Sequence, residues 1–502
     1  MPITRALLAT AANHPDQPAI VAEDGRLTYA QLIDDSRKMF TVIDDLHREQ
    51  PTPPSSSPET LGIPITAVSL GCAFHTARII AGLAGFRAVS ATIDPRWPLE
   101  HRTRVILATG IGVVISDSKE LAAALLAHAW TGTIITLAEF RRKELNAAPS
   151  AAPSVRVGDE PFLLLFSSGT TGNPKAFLKT RRQYRANFAV SSAHLEPRPG
   201  TATLAPGPVS YSLTLYALIE SLASGGSAHL ADAFDPVQLG RRIRDERITR
   251  VVAVPAVVQA LVDGARRAPD RFSSLELVVT GGANLPAILR TGLGTVLPQV
   301  RLISYYGAAE IGFIGDSRHG DGTRITIYAG IGASIRDPHG NEVPAGESGT
   351  LWIRAAACSD GYLSGTTDSP LTGPDGWATV HDQGRLVNGA LELAGRAGDI
   401  TVTGGHKVTL PDVERAFEGM PHLGAVCAVA LPHPRLGSVV ALIIEGSAPA
   451  KDELLQRARL GLAPQFIPGR WYRVEQLPRT VGGKIRRTAA AEAVVRGEAE
   501  RL

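Results

Sequence analysis

A polar stretch in the first half of the chain carries side chains suited to holding phosphate. It reads Ser167-Ser168-Gly169-Thr170-Thr171-Gly172-Asn173-Pro174-Lys175 and directly follows the apolar run Phe162 to Phe166. A short apolar run of this kind predicts a buried strand, and α/β proteins bind ligands at strand ends. Hydroxyls, glycine N–H groups and the Lys175 ammonium all favour anionic oxygens. We predict a polyphosphate-binding loop, with an ordinary exposed turn as the alternative.

The loop does not have the spacing of a Walker P-loop, because Pro174 stands where that motif needs its second glycine after Gly169. Nucleotide kinases and GTPases are therefore poor models. Thr170 to Lys175 instead resembles the phosphate loop of the adenylate-forming superfamily, which contains acyl-CoA synthetases, peptide-synthetase adenylation domains and luciferases. The resemblance implies that ATP is bound by Ser167, Ser168, Gly169, Thr170, Thr171 and Lys175.

A single carboxylate follows a predicted strand in Tyr305-Tyr306-Gly307-Ala308-Ala309-Glu310. The segment resembles the family's Y-G-x-[TS]-E motif, which implies that Glu310 binds Mg²⁺ and that Tyr306, beside Gly307, packs on adenine. One protein carboxylate is enough for a cation that also holds triphosphate oxygens. Taken alone, the segment reads as an exposed loop glutamate. Ala309 departs from the motif and removes one contact to the α-phosphate.

The segment Gly376 to Asp382, with Arg396 fourteen residues beyond it, resembles the family's G-W-x-x-T-G-D and G-R pair. The resemblance implies that Asp382 accepts both ribose hydroxyls, as carboxylates do in other nucleotide sites. Arg396 would contact ribose or phosphate, or is a surface charge. His381 replaces the motif's glycine, and we interpret it as a loop histidine rather than a catalytic base. Gly281-Gly282-Ala283 resembles the family's adenine-binding turn, which places Gly282 and Ala283 at the nucleotide.

Two motifs lie in the last hundred residues. Thr403 to Val408 resembles the family's hinge-proximal glycine loop, which implies that Gly404 and Gly405 line the passage of the pantetheine chain of coenzyme A; a plain turn is the alternative. Pro478 to Arg487 resembles P-[RK]-T-x-x-G-K-[IL], although alone it reads as a basic tail. The resemblance implies that Lys484 is catalytic, since an ammonium between a carboxylate and an α-phosphate stabilises the developing charge.

Tyr211 takes the place of the aromatic or histidine that gates the acyl pocket in this family, with a core tyrosine as the alternative. Ser212 stands where peptide-synthetase domains for α-amino acids carry an aspartate. Because burying an unpaired ammonium is costly, we expect the substrate not to be an α-amino acid. Small residues at 210–215 and 281–283 predict a roomy apolar pocket for a fatty, aryl or polycyclic acid.

The elements that must position these residues alternate between strand-like and helical periodicity from Ile65 to Tyr305. Short strands beyond Gly320 predict an antiparallel β subdomain. We predict an α/β fold with two domains. Residues 1–396 form a large multi-layer N-terminal domain with parallel sheets and the β subdomain, and residues 397–502 form a small mobile α+β C-terminal domain.

Composition sets the broad class. The chain has 502 residues, 44% hydrophobic and 20% charged, which is typical of a globular protein. A net charge of +3 gives no field for nucleic acid, and we expect no nucleic-acid partner. Charged residues interrupt the most apolar stretch, Ile65 to Ile93, so we predict no membrane span. Three scattered cysteines without metal-ligand spacing fit a reducing compartment, and we expect a cytoplasmic location.

The resemblance extends as far as Lys484 and implies an acid–thiol ligase that works in two half-reactions. A carboxylic acid and MgATP give an acyl-adenylate and pyrophosphate, and a thiol then displaces AMP. Coenzyme A is the first choice of thiol and a separate acyl carrier protein the second. A non-catalytic nucleotide-binding relative is the alternative, because Ala309, His381 and Gly398, at the family's hinge position, depart from the motifs.

Overall fold

The computed structural model describes residues 3–50, 58–167, 174–283, 285–320, 322–403, 406–433, 437–462, 464–480 and 483–502. Its helices are α1 (Thr4–Asn13), α2 (Tyr29–Arg48), α3 (Ala73–Leu83), α4 (Leu99–Ala108), α5 (Lys119–Ala127), α6 (Leu137–Asn146), α7 (Arg181–His194), α8 (Ser212–Ala223), α9 (Pro236–Asp245), α10 (Pro255–Arg267), α11 (Ala287–Val296), α12 (Leu410–Arg415), α13 (Lys451–Gly461) and α14 (Arg487–Val495). In this part of the chain, no helix has both the length and the hydrophobicity to cross a lipid bilayer.

The strands belong to three sheets. They are β1 (Pro18–Ala22), β2 (Gly25–Thr28), β3 (Ile65–Ser69), β4 (Val89–Thr92), β5 (Ile111–Ser116), β6 (Thr133–Ile135), β7 (Pro161–Phe166), β8 (Ala176–Thr180), β9 (Ala202–Ala205), β10 (Ser227–Leu230), β11 (Arg250–Ala253), β12 (Leu277–Thr280), β13 (Arg301–Ala308), β14 (Gly312–Ser317), β15 (Arg324–Ile327), β16 (Gly332–Arg336), β17 (Gly349–Arg354), β18 (Asp382–Val387), β19 (Ala390–Arg396), β20 (Ile400–Thr403), β21 (His406–Thr409), β22 (Val426–His433), β23 (Gly437–Glu445), β24 (Arg470–Val474) and β25 (Glu500–Arg501).

The largest sheet has the order β16-β17-β18-β19-β15-β14-β13-β12-β11-β9-β10-β1-β2 within the described ranges. The strands from β1 to β13 along this order pair in parallel, as the alternating pattern predicts. Successive strand residues point to opposite faces of the sheet, and each face packs into a hydrophobic core. On β12, Val279 packs into the core that contains Leu218 of α8, while Val278 packs into the core that contains Leu261 of α10.

The second sheet has the order β6-β5-β3-β4-β7-β8 and carries the predicted phosphate loop. Its pairs are parallel except for β7 with β8, which run antiparallel on either side of the loop. Thr180 ends β8 and begins α7 through a capping box, in which Thr180 and Gln183 bond each other's backbone N–H groups. The strands on either side of the predicted loop are therefore paired with each other, and β8 leads directly into the capped helix α7.

The predicted β subdomain is confirmed as a run of antiparallel strands, but it continues the largest sheet rather than forming a sheet of its own. β13 turns back into β14 through Glu310, and β15 to β19 extend the sheet from there. This arrangement puts Glu310 and the β18–β19 hairpin in one sheet, where β15 lies between β14 and β19.

Residues from Ile400 onward form the third sheet, with the order β21-β20-β23-β24-β25 and β22 paired to β23. It has its own core, where Leu442 of β23 and Trp471 of β24 pack with Val413 of α12 and Leu454 of α13. The chain leaves the largest sheet at Arg396 and enters the third sheet at Ile400, close to the predicted domain boundary. The α/β class with a smaller α+β C-terminal unit is confirmed.

Candidate active site

The predicted phosphate loop is closed at its base by two hydrogen bonds. The Ser167 N–H donates to the Lys175 carbonyl at 2.8 Å, and the Lys175 N–H donates to Oγ of Ser167 at 3.3 Å. All six predicted phosphate contacts stay predictions. Four of the residues, Ser168, Gly169, Thr170 and Thr171, also lie outside the described residues.

Tyr362 joins the phosphate loop to the predicted metal ligand. Its hydroxyl donates to Oε1 of Glu310 at 3.0 Å, and the Lys175 ammonium lies 5.0 Å from the centre of its ring. A cation over an aromatic face is attracted by the ring quadrupole. Burial and the neighbouring Glu310 carboxylate raise the pKa of Tyr362, so the phenol stays a donor. Tyr362 thus contacts Lys175 through its ring and Glu310 through its hydroxyl.

Glu310 is also held through its backbone, in the turn between β13 and β14. The Glu310 side chain is nearly buried, with 7% of the residue exposed. Its carbonyl accepts hydrogen bonds from the Ser359 N–H at 2.8 Å and from the Lys179 ammonium at 2.7 Å. Burial lowers the pKa of Lys179 to about 8.

The β18–β19 hairpin explains the spacing of fourteen residues between Asp382 and Arg396, since the two residues face each other across it. Nε of Arg396 donates to Oδ1 of Asp382 at 3.1 Å, and the Tyr306 hydroxyl donates to Oδ2 at 2.5 Å. The structure therefore places three predicted nucleotide residues in one cluster. Each oxygen of the Asp382 carboxylate is oriented by a separate donor.

The charges of this cluster stabilise one another. Burial and the Asp382 carboxylate raise the pKa of Tyr306, so its hydroxyl remains protonated. Burial opposes the charge of Arg396, but attraction to Asp382 outweighs it and the pKa of Arg396 is raised. Asp382 forms an ion pair with Arg396, and 14% of its side chain is exposed.

His381 adopts a backbone conformation that favours glycine. Its φ is +63°, in the left-handed region, and its N–H donates to Oγ1 of Thr379 at 3.0 Å. The glycine of the family motif would take this conformation without strain. Burial and the positive charge of Lys175 lower the pKa of His381. The residue as a whole is partly exposed, which agrees with our interpretation of a loop histidine.

The predicted nucleotide-binding glycines are needed at their positions for different structural reasons. A side chain at Gly307 would collide with the backbone of Gly312 on the paired strand, so this glycine serves the close pairing of β13 and β14. Gly282 has a φ of +79° in an exposed turn, followed by the exposed Ala283. The flat ring that covers the preceding Gly281 belongs to Tyr305.

Tyr211 immediately precedes α8, half-buried beside a fixed cation. The guanidinium of Arg96 lies 5.9 Å from the centre of the Tyr211 ring. Asp94, 1% exposed, holds Arg96 through Nε and Nη2 at 2.9 and 2.7 Å and accepts the Ser210 hydroxyl at 2.9 Å. Burial raises the pKa of Tyr211 to about 12, so it is a neutral phenol rather than a base.

Lys484 lies on a tight loop anchored to the C-terminal sheet. The Thr480 N–H donates to the Lys484 carbonyl at 2.7 Å, and the Lys484 N–H donates to Oγ1 of Thr480 at 3.2 Å. Arg479 ties the loop to β23, with Nη2 bonded to Oε2 of Glu445 at 2.6 Å. Gly483 completes the turn with a φ of +76°.

The C-terminal loop brings Lys484 to the groups on the largest sheet. Loss of solvent and the charge of Arg396 lower the pKa of its ammonium, while Asp382 and Glu310 act in the opposite direction. Charges of this kind act over short distances. The charges of Glu310, Asp382 and Arg396 therefore act on the Lys484 ammonium in this arrangement. Gly404 and Gly405 lie outside the described residues.

A comparison with protein-family models shows which family the chain belongs to. The model described as AMP-binding enzyme matches residues 75–363, more than half of the chain. This chain belongs to the AMP-binding enzyme family. The predicted membership of the adenylate-forming superfamily is confirmed.

Relatives of this AMP-binding enzyme are similar over much of its length. An uncharacterised acyl-CoA ligase, YhfT, from Bacillus subtilis is 26% identical over an alignment of 501 residues that covers 97% of this chain and 97% of the relative. A 4-chlorobenzoate–CoA ligase from an Arthrobacter species is 26% identical over 95% of this chain and 92% of the relative. A feruloyl-CoA synthase from an Amycolatopsis species is 28% identical over 68% and 72%.

Solved structures share the fold of this AMP-binding enzyme. ATP-bound MatB from Rhodopseudomonas palustris has a TM-score of 0.85 at 19% identity, over 98% of this chain and 99% of that one. The o-succinylbenzoate CoA synthetase MenE from Bacillus subtilis, in complex with an acyl-adenylate, has a TM-score of 0.83 at 19% identity, over 96% and 97%. At these identities the structures establish a shared fold.

The residues of this AMP-binding enzyme fit a magnesium ion and a nucleoside. A carboxylate oxygen is the kind of ligand Mg²⁺ prefers, and Tyr362 bonds Oε1 of Glu310, which leaves Oε2 for a cation. Lys175 supplies a positive charge next to it. Asp382 has acceptor lone pairs beyond those used by Tyr306 and Arg396, so it can also receive hydroxyl groups.

Several residues of the site escaped sequence reasoning. Tyr362, Ser359 and Lys179 contact Glu310 from loops and strands distant in sequence, and Asp94 acts from the end of β4. The Gly361-Tyr362 pair is a local signal of a loop, but it does not show which residue Tyr362 contacts. Only the three-dimensional packing reveals these contacts.

Proposed function

We propose that this AMP-binding enzyme activates a carboxylic acid with MgATP and transfers the acyl group to a thiol, with coenzyme A as the first choice. A carboxylate oxygen bonds to the α-phosphorus of ATP while the bond to pyrophosphate breaks. The thiol sulfur then bonds to the acyl carbon, AMP leaves, and the thiol proton passes to solvent. The contacts of Tyr362 with both Glu310 and Lys175 carry the proposal, because they hold a carboxylate and an ammonium beside the predicted phosphate loop.

The fixed residues divide into two binding roles. We assign the metal to Glu310 and the pyrophosphate leaving group to Lys175 with residues 167–171. When bound, Mg²⁺ would neutralise charge on the phosphate oxygens. Asp382 would accept the ribose hydroxyls, with Tyr306 and Arg396 orienting its two oxygens.

Lys484 has the catalytic role in adenylation. A substrate carboxylate and an α-phosphate repel each other, and an ammonium between them offsets that repulsion as charge develops. Tyr211 would line the acyl pocket as a neutral wall rather than exchange a proton. Its raised pKa of about 12 supports this role.

We propose that the C-terminal unit, from residue 397, rotates between the half-reactions. A side chain at Gly398 would meet open space, so this position is free to change conformation. Asp399 beside it accepts the Arg396 N–H at 3.0 Å and Nε of Arg487 at 2.7 Å, linking the two units in the present arrangement. Rotation would withdraw Lys484 and present the loop that contains Gly404 and Gly405 to the thiol.

The acid we favour is an aryl acid rather than a long fatty acid. Phe313 packs edge to face against Tyr216 of α8 and against Tyr305 of β13, each at 4.8 Å between ring centres. The three packed rings offer a flat apolar surface against which an aromatic acid could stack. The names of two relatives, feruloyl-CoA synthase and 4-chlorobenzoate–CoA ligase, support this choice.

The test of activity is acid-dependent exchange of labelled pyrophosphate into ATP, with a panel of aryl, fatty and α-amino acids. We expect exchange with aryl acids and none with α-amino acids. Mass spectrometry with coenzyme A and with acyl carrier protein then identifies the acceptor. No exchange with any acid would contradict the enzymatic role and favour a non-catalytic nucleotide-binding relative. The departures from the family motifs at His381, with its positive φ, and at Ala309 are the reason to consider that alternative.

The acid class is tested by Tyr305→Ala, which removes the ring above Gly281. Loss of the ring opens the pocket, so the preference for aryl over medium-chain fatty acids, measured as a ratio of kcat/KM, should fall about tenfold. The matched control is Tyr328→Ala. Tyr328 is a buried tyrosine directly after β15 of the largest sheet, and its ring packs on His194 instead. An unchanged ratio in the Tyr305 variant would overturn the assignment of this wall.

A further inference from the structure

Lys179 is a buried cation close to the candidate metal ligand. It lies on β8, four residues beyond Lys175, and 4% of the residue is exposed. Lysine is rarely buried, because removing an ammonium from water is costly unless its hydrogens find acceptors. A residue held at such a cost in the strand that leaves the phosphate loop needs a structural reason.

The reason lies in two backbone carbonyls from two other segments. The Lys179 ammonium donates to the carbonyl of Glu310 at 2.7 Å and to the carbonyl of Ala357 at 2.6 Å. Among the described residues, no carboxylate forms an ion pair with it. Its charge is therefore directed at the backbone of the Glu310 turn and of the loop after β17.

The loop after β17 also holds Glu310 from its other side. Beyond Ala357 it supplies the Ser359 N–H to the Glu310 carbonyl and the Tyr362 hydroxyl to the Glu310 carboxylate. One ammonium thus ties together β8, the Glu310 turn and the loop that contacts the Glu310 side chain. A hydrocarbon side chain of the same length would fill the space and leave both carbonyls without this donor.

We propose that Lys179 is a positioning residue for the metal ligand: by holding the carbonyls of Glu310 and Ala357 together, it sets the Glu310 carboxylate against Lys175 and the phosphate loop. The inference rests on the proposed function, which assigns the metal to Glu310. It also extends that function, because it names a buried group outside the recognised motifs that controls metal affinity rather than catalysis.

The test compares Lys179→Met with the wild-type protein. Metal affinity is measured by electron paramagnetic resonance of Mn²⁺ with a non-hydrolysable ATP analogue, and by the Mg²⁺ concentration that gives half-maximal pyrophosphate exchange. Loss of an outer partner of a metal ligand typically weakens metal binding about ten- to a hundredfold, and we expect at least the lower figure. Binding of AMP without metal should stay within about twofold, since Asp382 and Tyr306 are untouched.

A matched control separates positioning from general support of the fold. Arg181 is likewise buried and donates to two carbonyls, those of Ala84 and Phe86, and it also pairs with the Glu160 carboxylate. Arg181→Met should lower the melting temperature without changing Mn²⁺ affinity. Lys179→Arg, which keeps two donors and the charge, should recover part of the affinity and keeps the test valid if Lys179→Met does not fold.

Two results would overturn the inference. One is unchanged Mn²⁺ affinity in a folded Lys179→Met protein, and the other is an equal loss in Arg181→Met. Failure of the proposed function gives a different result, in which the wild-type protein shows no exchange with any acid although the Mn²⁺ binding series can still be measured.

Discussion

The two halves of the candidate site are held in different ways. On the largest sheet, the carboxylates of Glu310 and Asp382 are each fixed by donors on other segments. On the C-terminal loop, Lys484 is fixed only through its backbone, which is bonded to Thr480. In the described part of the chain, the Lys484 ammonium forms no hydrogen bond.

We infer from this difference that Glu310 and Asp382 serve nucleotide binding and that Lys484 serves catalysis. Groups that hold the nucleotide through both half-reactions gain from being preorganised, because no free energy is then spent on ordering them. A group needed in only one half-reaction has to arrive and leave, and a firm bond would hinder its departure. We therefore expect changes in the fixed half to act on binding and changes in Lys484 to act on rate.

The largest expected effect comes from Lys484→Ala. Removing the ammonium from the reacting centre should slow pyrophosphate exchange about a thousandfold, roughly 4 kcal/mol in the barrier. Thioester formation from supplied acyl-adenylate should stay within a fewfold of wild type. Arg486→Ala, two residues away and exposed, is the control and should retain both activities. Equal loss of both half-reactions would refute the division.

A smaller effect is expected from Asp382→Asn in the fixed half. The change removes the charge that pairs with Arg396 and weakens the acceptor for ribose, so KM for ATP should rise about thirtyfold, roughly 2 kcal/mol. The value of kcat should change much less. Asp375→Asn, at an exposed ion pair with Arg336, provides the control. A fall in kcat at constant KM would place Asp382 in the catalytic half.

The pH dependence should report Lys484 directly. Loss of solvent and Arg396 lower its pKa in the free enzyme, and the charged ammonium is the active form, so activity is lost as pH rises through that pKa. A nucleotide that binds without help from Lys484 leaves this pKa unchanged, because a ligand shifts a pKa only when it binds the two protonation states with different affinity. The alkaline limb of kcat/KM for ATP should therefore coincide with the limb of kcat. A limb of kcat at higher pH would show that the charge of Lys484 contributes to nucleotide affinity.

The smallest effect concerns stability at the edge of the fixed half. His381→Gly relieves a left-handed backbone that costs a side chain about 1 kcal/mol or more, and part of this gain is offset by the flexibility of glycine when unfolded. We expect a net gain of about 0.5 kcal/mol in denaturant unfolding. His339→Gly, at a turn without a positive φ, should destabilise instead. A loss in His381→Gly would mean that its ring makes stabilising contacts.

Much of the site could be predicted because its motifs are local in sequence. The spacing of Asp382 and Arg396 is that of a hairpin, and the apolar runs give the parallel layers. The glycines were harder to interpret, since Gly307 serves strand pairing and Gly281 lies under Tyr305. A pattern shows that a position needs glycine but not which neighbour requires it.

The supporting contacts could not be predicted for a physical reason. Lys179 follows the apolar pair Phe177-Leu178, and a lysine in such a strand normally points to solvent. Its burial depends on the loop after β17, which is about 180 residues away in sequence and whose packing no local pattern encodes. The same holds for Tyr362, whose two partners come from different sheets.

The central claim is that the fixed half binds the nucleotide without help from Lys484. Calorimetric titration of MgATP into Lys484→Ala tests it most directly. We predict a dissociation constant within about twofold of wild type in a variant whose pyrophosphate exchange is nearly abolished. A loss of affinity that matches the loss of exchange would contradict the account, because Lys484 would then belong to the binding half.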